Sequence, residues 1–563
     1  MNKTQPIFQI QPKKVSGFLK RLLVKIDSIN EEKSGSFLII LSFIIGFFTI
    51  YVTLYNAADE SDVLTLGSLI SKGYILYNDY FSHHFPLPYI WTSIIIKLFG
   101  SSIQVARLSI LILRVLIFYI AMRLSKYYIV IGLTSVSWSL LSYLYLGNMV
   151  LYDSLSAIFN TAAIVVTIAI LTSNIKDSLG RYFFIGITSS LSVFSDPTKA
   201  FPFIVLFIGL FVYILKTNPY KKLYPQQLVY KLLILVFSFS LVGIFFLVYL
   251  LATSSFDNFF KDAVLFNYHT YSKYAGSFEV KNLFKQFFSL LDIFNRAWSK
   301  NVSPLIRMDN FLELDFSIYT GFLYRFSILT LVLFLISNKN FLAGLILYMY
   351  AATNLMRANR LFHSSSFVLL AIFTTFMVLG YLMQVFRKGY LNHGNFSNKT
   401  IHNKLIQIVR LVASSLVFLL FLWLNFRSCQ FIINNSEKFT YNYNFSNPIN
   451  SSSQFIALTC GAEDVKILSY PLNPQVYFWS GLEPASSQIF LLPWNAELYQ
   501  SLVIKELSNQ KNVIIVVDQE AVVWGKYKFQ EYASNLINFL NENYVYLPSG
   551  YYVSTSLYKL CSE

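Results

Sequence analysis

The sequence predicts a polytopic α-helical membrane protein with about eleven transmembrane helices, followed by a small C-terminal α/β domain outside the cytoplasm. Of its 563 residues, 55% are hydrophobic and only 13% are charged, and the mean hydropathy is +0.52. Apolar runs of about 20 residues recur along the chain, which is the length a helix needs to cross the hydrocarbon core. After residue 455 the pattern changes to short strand-like runs between segments of helical spacing.

The first helix is predicted to be an uncleaved anchor, because the polar, basic segment 1–34 precedes an apolar run long enough to span. That segment is expected in the cytoplasm, and the transmembrane domain is expected over 35–426. The predicted spans lie near 36–55, 104–123, 127–147, 154–173, 182–196, 200–216, 232–252, 319–337, 341–356, 364–386 and 408–426.

The loops between these spans fall into two chemically different sets. One set carries thirteen basic residues and a single acid, Asp177, which marks the cytoplasmic side. The linker 427–454 and the domain 455–563 are then extracytoplasmic. We expect the protein to reside in a bacterial plasma (inner) membrane. The net charge of +16 does not indicate nucleic acid, because the basic residues are dispersed through these short loops.

The opposite set of loops holds acidic, histidine and aromatic residues. Its long members are 56–103 and 253–318, and the stretches 64–70 and 87–99 have the pattern of helices lying along the membrane surface. In the tail, KILSY, NVIIVVD and YVYLP read as strands, and 496–507 and 527–541 as helices. Cys460 and Cys561 both fall in this external domain, where an oxidising compartment would allow either a disulfide or two free thiols.

The segment AADESD follows the first predicted span and places Asp59, Glu60 and Asp62 at the edge of the membrane. Acidic residues there can simply end a helix and meet solvent. They can also act as a general base that deprotonates an acceptor hydroxyl beside a membrane-bound donor.

The segment GYILYNDYFSHHFPLPYIWTSIIIKLFGSS (73–102) makes a specific resemblance. This part of the chain resembles the polytopic C-type (GT-C) glycosyltransferases. The shared features are an acidic residue after the first span, a Gly-Tyr, an aromatic-Asp segment, a surface helix ending in LFG and the nearby Arg107. These include the protein mannosyltransferases and the lipid A aminoarabinose transferases. The tail segment YFWSGLEPASSQIF (477–490) is similar to a segment in the external domains of bacterial members. Its alternative reading is a strand and turn at Gly481.

The resemblance implies transfer of a sugar from a polyprenyl-phosphate donor to a hydroxyl of a lipid, glycan or protein at the outer face. It implies Asp59 as catalytic acid/base, with Glu60 beside it and Asp153 as a second acid. It also implies Lys199 as a basic residue at the outer end of a span.

The donor phosphate gains charge as its bond to the sugar breaks, so the site needs cations. The candidates on the outer face are His83, His84, Lys199, Arg357, Arg360 and His363. The cluster 357–363 has an equally weighted alternative, in which its side chains only reach the lipid headgroups. His84 is also a departure, because the aminoarabinose transferases carry a lysine there.

A divalent cation such as Mg or Mn, held by Asp59 and Asp153, is a further possibility, since some families of this fold use one and others do not. Adjacent His83 and His84 alone make poor zinc ligands. Two other classes remain open: a transporter or flippase of a lipid-linked or small polar substrate, and a non-catalytic assembly subunit. The acids cluster at one face, unlike the midplane sites of transporters.

Overall fold

The computed structural model describes residues 30–52, 58–172, 178–217, 225–275, 287–292, 316–355, 362–391, 421–430, 459–547 and 550–562, with isolated positions between 412 and 433. The predicted linker 427–454 lies outside these residues apart from 427–430 and 433, and nine of the nineteen residues of the predicted span 408–426 also lie outside them.

Helices account for nearly all of the described chain before residue 431. They are α1 (Glu31–Val52), α2 (Ala58–Ser71), α3 (Leu87–Phe99), α4 (Ile103–Ser125), α5 (Tyr128–Leu141), α6 (Tyr152–Leu171), α7 (Leu179–Ser195), α8 (Ala200–Thr217), α9 (Pro225–Ala252), α10 (Phe256–Phe259), α11 (Ser272–Ala275), α12 (Phe316–Ser337), α13 (Phe341–Leu355) and α14 (Ser365–Leu391). Between α10 and α11 the chain continues as π-helical turns, Phe260–Leu265 and Asn267–Tyr271.

Six of the described helices are long and apolar enough to cross a membrane, so the chain is a multi-pass membrane protein. They correspond to α1, α4, α5 with its following turn, α6, α8 and α9. The outward faces of α1 and α9 expose large apolar side chains such as Phe37 and Phe245, as lipid-facing helices do. The count of eleven spans stays a prediction, as does the sidedness of the loops.

Helix α6 forms the centre of the helical part, because every one of its residues is buried. Its polar groups bond to neighbouring helices: Asn160 Nδ2 donates to Asn354 Oδ1 at 2.8 Å, and the Tyr350 hydroxyl donates to the Asn160 carbonyl at 2.7 Å. Buried polar side chains need such partners where water is excluded. The second predicted span carries Arg114, whose Nη2 bonds to Ser139 Oγ at 2.5 Å.

The surface helices predicted near 64–70 and 87–99 are present as α2 and α3, and neither is among the candidate spans of at least 18 residues. They pack against each other, and Gly67 of α2 makes this close approach possible. A Cβ at Gly67 would lie 2.6 Å from Thr92 Cγ2 of α3. This layer lies between the long helices and the C-terminal residues.

The C-terminal unit, residues 459–562, contains a five-stranded sheet flanked by helices. Its elements are β1 (Lys466–Tyr470), α15 (Gln475–Ser480), β2 (Glu483–Pro484), α16 (Pro493–Ser508), β3 (Val513–Val517), β4 (Val522–Val523), β5 (Tyr527–Lys528), α17 (Phe529–Tyr532), α18 (Ser534–Asn543), β6 (Tyr544–Tyr546), β7 (Tyr552–Ser554) and α19 (Thr555–Ser562).

The sheet order is β2-β1-β3-β7-β6, with β1 parallel to both β2 and β3, and β7 antiparallel to β3 and β6. The three predicted strand runs are β1, β3 and β6, all with apolar side chains suited to a sheet. Strands β4 and β5 form a separate hairpin. The segment predicted as one helix over 527–541 is instead β5 followed by α17 and α18, because Tyr527 and Lys528 pair with β4.

Cys460 and Cys561 form a disulfide that closes the C-terminal unit across a sequence separation of 101. This unit also bonds directly to the surface helices. Thr65 Oγ1 of α2 donates to the Pro474 carbonyl at 2.8 Å, and the Phe81 N–H donates to the Ser487 carbonyl at 3.0 Å. The sheet is thereby held against the segment that carries the predicted active-site residues.

Candidate functional site

A cavity of about 680 Å³ lies where α2 and the His83–His84 turn meet the C-terminal unit. This volume lies within the range of about 300–1,000 Å³ that ligand pockets occupy. Its polar lining includes Asp59, Asp62, His83, His84, His363, Asn473 and Asp518, and its aromatic lining includes Tyr152, Tyr271, Phe490, Trp494 and Trp524. Four of the nine predicted site residues therefore meet here: Asp59, His83, His84 and His363.

The adjacent acids Asp59 and Glu60 serve different surfaces of α2. Successive helical residues point about 100° apart, so two neighbouring side chains cannot share one face. Asp59 lines the cavity together with Asp62, which is three residues further on the same face. Glu60 is completely buried and pairs with Arg107 of α4 through two bonds, Nε–Oε1 at 2.9 Å and Nη2–Oε2 at 2.5 Å. Glu60 Oε1 also accepts the Val150 N–H at 2.9 Å.

Asp62, the third acid of the AADESD segment, is the second acid of the cavity. Its Oδ2 accepts a hydrogen bond from the Tyr89 hydroxyl at 2.6 Å, and Ser82 Oγ donates to that hydroxyl at 2.9 Å. Burial raises the pKa of Asp62 from 3.8 to about 7, the Tyr89 bond lowers it in part, and the negative charge of Asp59 raises it further. At neutral pH the two neighbouring acids therefore carry less than two negative charges.

The two adjacent histidines sit in a turn that is fixed on both sides. The Tyr77 hydroxyl donates to the His84 carbonyl at 2.8 Å, and Asn267 Nδ2 donates to the His83 carbonyl at 2.5 Å. The His84 ring stacks on Tyr152 at 4.4 Å between centroids, and the His83 ring lies 4.0 Å from that of His84. Both rings line the cavity in a defined orientation.

His363 is oriented by Asp153, because His363 Nδ1 lies 2.8 Å from Asp153 Oδ2. For the neutral ring, a carboxylate in this place favours the tautomer with its proton on Nδ1, in which Nε2 carries no proton. Asp153 is completely buried and is not part of the cavity lining. Asp153 thus contacts a residue that lines the cavity but does not line the cavity itself.

Glu60 and Asp153 do not line the cavity, and neither does Lys199, which is the third described site residue outside the lining. Lys199 is buried and its Nζ lies 3.5 Å from Asp196 Oδ2. Arg357 and Arg360 lie outside the described residues.

The predicted metal ligands, Asp59 and Asp153, have different surroundings, since Asp59 lines the cavity and Asp153 is bonded to His363. Within the described ranges, there is no group of three or more His, Cys, Asp or Glu residues placed to hold a metal ion.

Several cavity residues could not be found from the sequence, because they come from separate elements of the C-terminal unit. Asn473 follows β1, Asp518 follows β3, and Trp524 follows β4. The only local signal was for Asp62, whose spacing of three from Asp59 puts both on one helix face. The tail segment 477–490 contributes Phe490.

Comparison with known proteins found no matching family model and no matching curated protein. Among solved structures, the chain is similar to ArnT from Cupriavidus metallidurans bound to undecaprenyl phosphate, with a TM-score of 0.48, 12% identity and coverage of 92% of this chain and 98% of ArnT. It is also similar to the oligosaccharyltransferase AglB from Archaeoglobus fulgidus in complex with an inhibitory peptide and a dolichol-phosphate, with a TM-score of 0.44, 12% identity and coverage of 92% and 74%. These likenesses are remote, so the function of this chain rests on its own residues.

We expect Glu60→Gln to destabilise the fold while Asp59→Asn does not. The change leaves the buried Arg107 guanidinium without its carboxylate, and breaking a buried ion pair costs about 3–5 kcal/mol. Thermal unfolding of the purified protein in lipid nanodiscs measures this, with Asp59→Asn as the matched control because Asp59 is only half-buried. Equal melting temperatures for the two variants would contradict the structural assignment of Glu60.

The raised pKa of Asp62 predicts a pH-dependent stability that Asp62→Asn removes. Between pH 3.8 and about 7 the folded chain holds this proton more tightly than the unfolded chain does. The free energy of unfolding contributed by Asp62 therefore falls as pH rises through that interval and levels off above it. The melting temperature of the wild type minus that of Asp62→Asn should drop between about pH 5 and about pH 7. A difference that stays constant over this range would refute the assignment.

Proposed function

We propose that this protein is a membrane glycosyltransferase that moves a sugar from a polyprenyl-phosphate donor to an acceptor hydroxyl at the outer face of the plasma membrane. The observation that carries the proposal is the convergence of Asp59 and Asp62 with three histidines on one cavity beside the membrane helices. Acids and potential cations in one pocket are what this reaction needs.

Asp59 is the proposed general base. The acceptor hydroxyl oxygen attacks C1 of the donor sugar and gives its proton to the Asp59 carboxylate. A new C–O glycosidic bond forms as the bond between C1 and the phosphate oxygen breaks, and the polyprenyl phosphate leaves with that electron pair. Because Asp62 holds a proton, the pair carries one negative charge, on Asp59. Paired carboxyls divide their roles in this way.

The histidines are the proposed contacts of the leaving phosphate. His83, His84 and His363 line the cavity on the side of the helical part, and protonated imidazoles stabilise a phosphate that gains negative charge. Arg357 and Arg360 remain proposed contributors from the segment before His363. Asp153 acts in this scheme as a positioning residue, because it orients the His363 ring.

The roles of two other predicted residues are proposed differently. Glu60 supports the site through Arg107, and Lys199 supports it through Asp196, since both are engaged in buried ion pairs.

We expect Asp59→Asn to abolish transfer while binding of undecaprenyl phosphate is kept. Loss of a general base lowers the rate about 10²–10⁴-fold, and the amide is close to the carboxylate in size. Cells lacking the protein are complemented with each variant, and surface glycans are compared by mass spectrometry, while native mass spectrometry reports lipid binding. Asp257→Asn is the control, because Asp257 is exposed and does not line the cavity.

An unchanged glycan profile with Asp59→Asn would contradict the proposal and favour an assembly subunit. Loss of a translocated lipid-linked substrate without any change in a glycosidic bond would favour a transporter.

A further inference from the structure

The C-terminal unit forms a roof over the cavity, defined here as Pro471, Leu472, Asn473, Val516, Val517, Asp518, Ala521, Val522, Val523 and Trp524. These residues lie at or just after the carboxyl ends of β1 and β3, or on the β4 segment. Strands β1 and β3 are parallel neighbours, with Tyr470 opposite Val517. The carboxyl ends of neighbouring parallel strands are where α/β sheets bind ligands. The roof therefore lies at the edge where such sheets bind ligands, on the side of the cavity opposite the acids and histidines.

An aromatic platform occupies this roof. The Trp524 side chain is 39% exposed although it lines a cavity, and its ring lies 4.5 Å from that of Trp494 with an interplanar angle of 31°. Trp494 is buried and contacts Tyr271 edge-on at 5.4 Å. Trp524 thus packs on the Trp494 ring and still exposes apolar surface, as an aromatic side chain that contacts a ligand does.

The backbone at Trp524 is also unusual. Its φ is 54°, in the left-handed region that a bulky side chain rarely adopts, and Gly525 follows with φ of 67°. The two residues form the turn between β4 and β5, where Val523 pairs with Tyr527. A backbone conformation of high free energy persists where the surrounding structure holds it in place. Residues in such conformations cluster at binding sites.

The polar groups of the roof are neutral or negative. Asp518 and Asn473 supply carboxylate and amide oxygens and an amide N–H pair, and among the described lining residues of the whole cavity there is no lysine or arginine. A phosphorylated or otherwise anionic ligand would lack a cationic partner on this surface. A ligand with both an apolar face and many hydroxyl groups fits, because C–H groups pack on the indole ring while hydroxyls bond to Asp518 and Asn473.

We infer that the roof is the acceptor subsite and that the acceptor is a neutral saccharide. This inference rests on the proposed function, since it names the substrate that Asp59 deprotonates. One sugar ring lies on Trp524 with its hydroxyls directed to Asp518 and Asn473, and a free hydroxyl points down to the acids of α2. A peptide or a lipid acceptor is the competing outcome of the test.

The test measures binding of neutral trisaccharides to the full-length protein in nanodiscs. Maltotriose, cellotriose and mannotriose are titrated in parallel by saturation-transfer NMR. At least one of them binds saturably to the wild type, Trp524→Ala weakens that binding about tenfold, and Trp524→Phe restores most of it. Tyr558→Ala is the matched control, because Tyr558 is 43% exposed on the same unit and does not line the cavity.

Absence of binding by all three trisaccharides would overturn the inference, as would equal affinity for wild type and Trp524→Ala. Saturable binding of a serine-rich peptide or of a phospholipid, without binding of any of the three trisaccharides, would overturn it in favour of that acceptor class. Asp59→Asn separates the two proposals, because it should bind the trisaccharide normally. If Asp59→Asn loses transfer while Trp524→Ala binds and transfers normally, only the acceptor assignment fails. If Asp59→Asn transfers normally, the proposed function itself fails.

Discussion

The buried ion pair between Glu60 and Arg107 is the constraint on which the candidate site depends. It joins α2 to α4, and its second acceptor bond, from the Val150 N–H, ties α2 to the segment before α6. With Glu60 turned inward, helical geometry turns Asp59 and Asp62 towards the cavity. The pair therefore sets which carboxylates are available for chemistry, although it makes no contact with the cavity itself.

The cavity belongs to two parts of the chain at once. The floor comes from α2, the histidine turn and His363, and the roof comes from the C-terminal unit. Direct bonds hold these parts together, including Thr65 to Pro474 and Tyr499 to Asp262, whose oxygens lie 3.2 Å apart. Burial raises the pKa of Asp262 from 3.8 to about 6, and the hydrogen bond from Tyr499 lowers it in part. The floor, where we propose the donor chemistry, and the roof, where we propose acceptor binding, are thus held together by direct contacts.

Local patterns in the sequence predict the helices well, because apolar length and helical spacing are properties of short segments. Ten of the eleven predicted spans coincide with helices in the described residues, and α2 and α3 lie where surface helices were expected. The sequence could predict that Asp59, His83, His84 and His363 lie close together, because all four fall in loops of one predicted side. It could not predict that Asn473, Asp518 and Trp524 join them, since that depends on the pairing of β1 with β3 and on the placement of the sheet. Glu60 is adjacent to Asp59 in the sequence, but the rotation of the helix directs it to Arg107 and not to the cavity.

The most direct test is an experimental structure of the full-length protein in lipid nanodiscs with undecaprenyl phosphate bound. The account predicts the phosphate in the cavity, within hydrogen-bonding distance of at least one of His83, His84 and His363, with Asp59 facing the same space and the acyl chain leading out between the membrane helices. A phosphate bound elsewhere, or a cavity that opens to the cytoplasm, would contradict it.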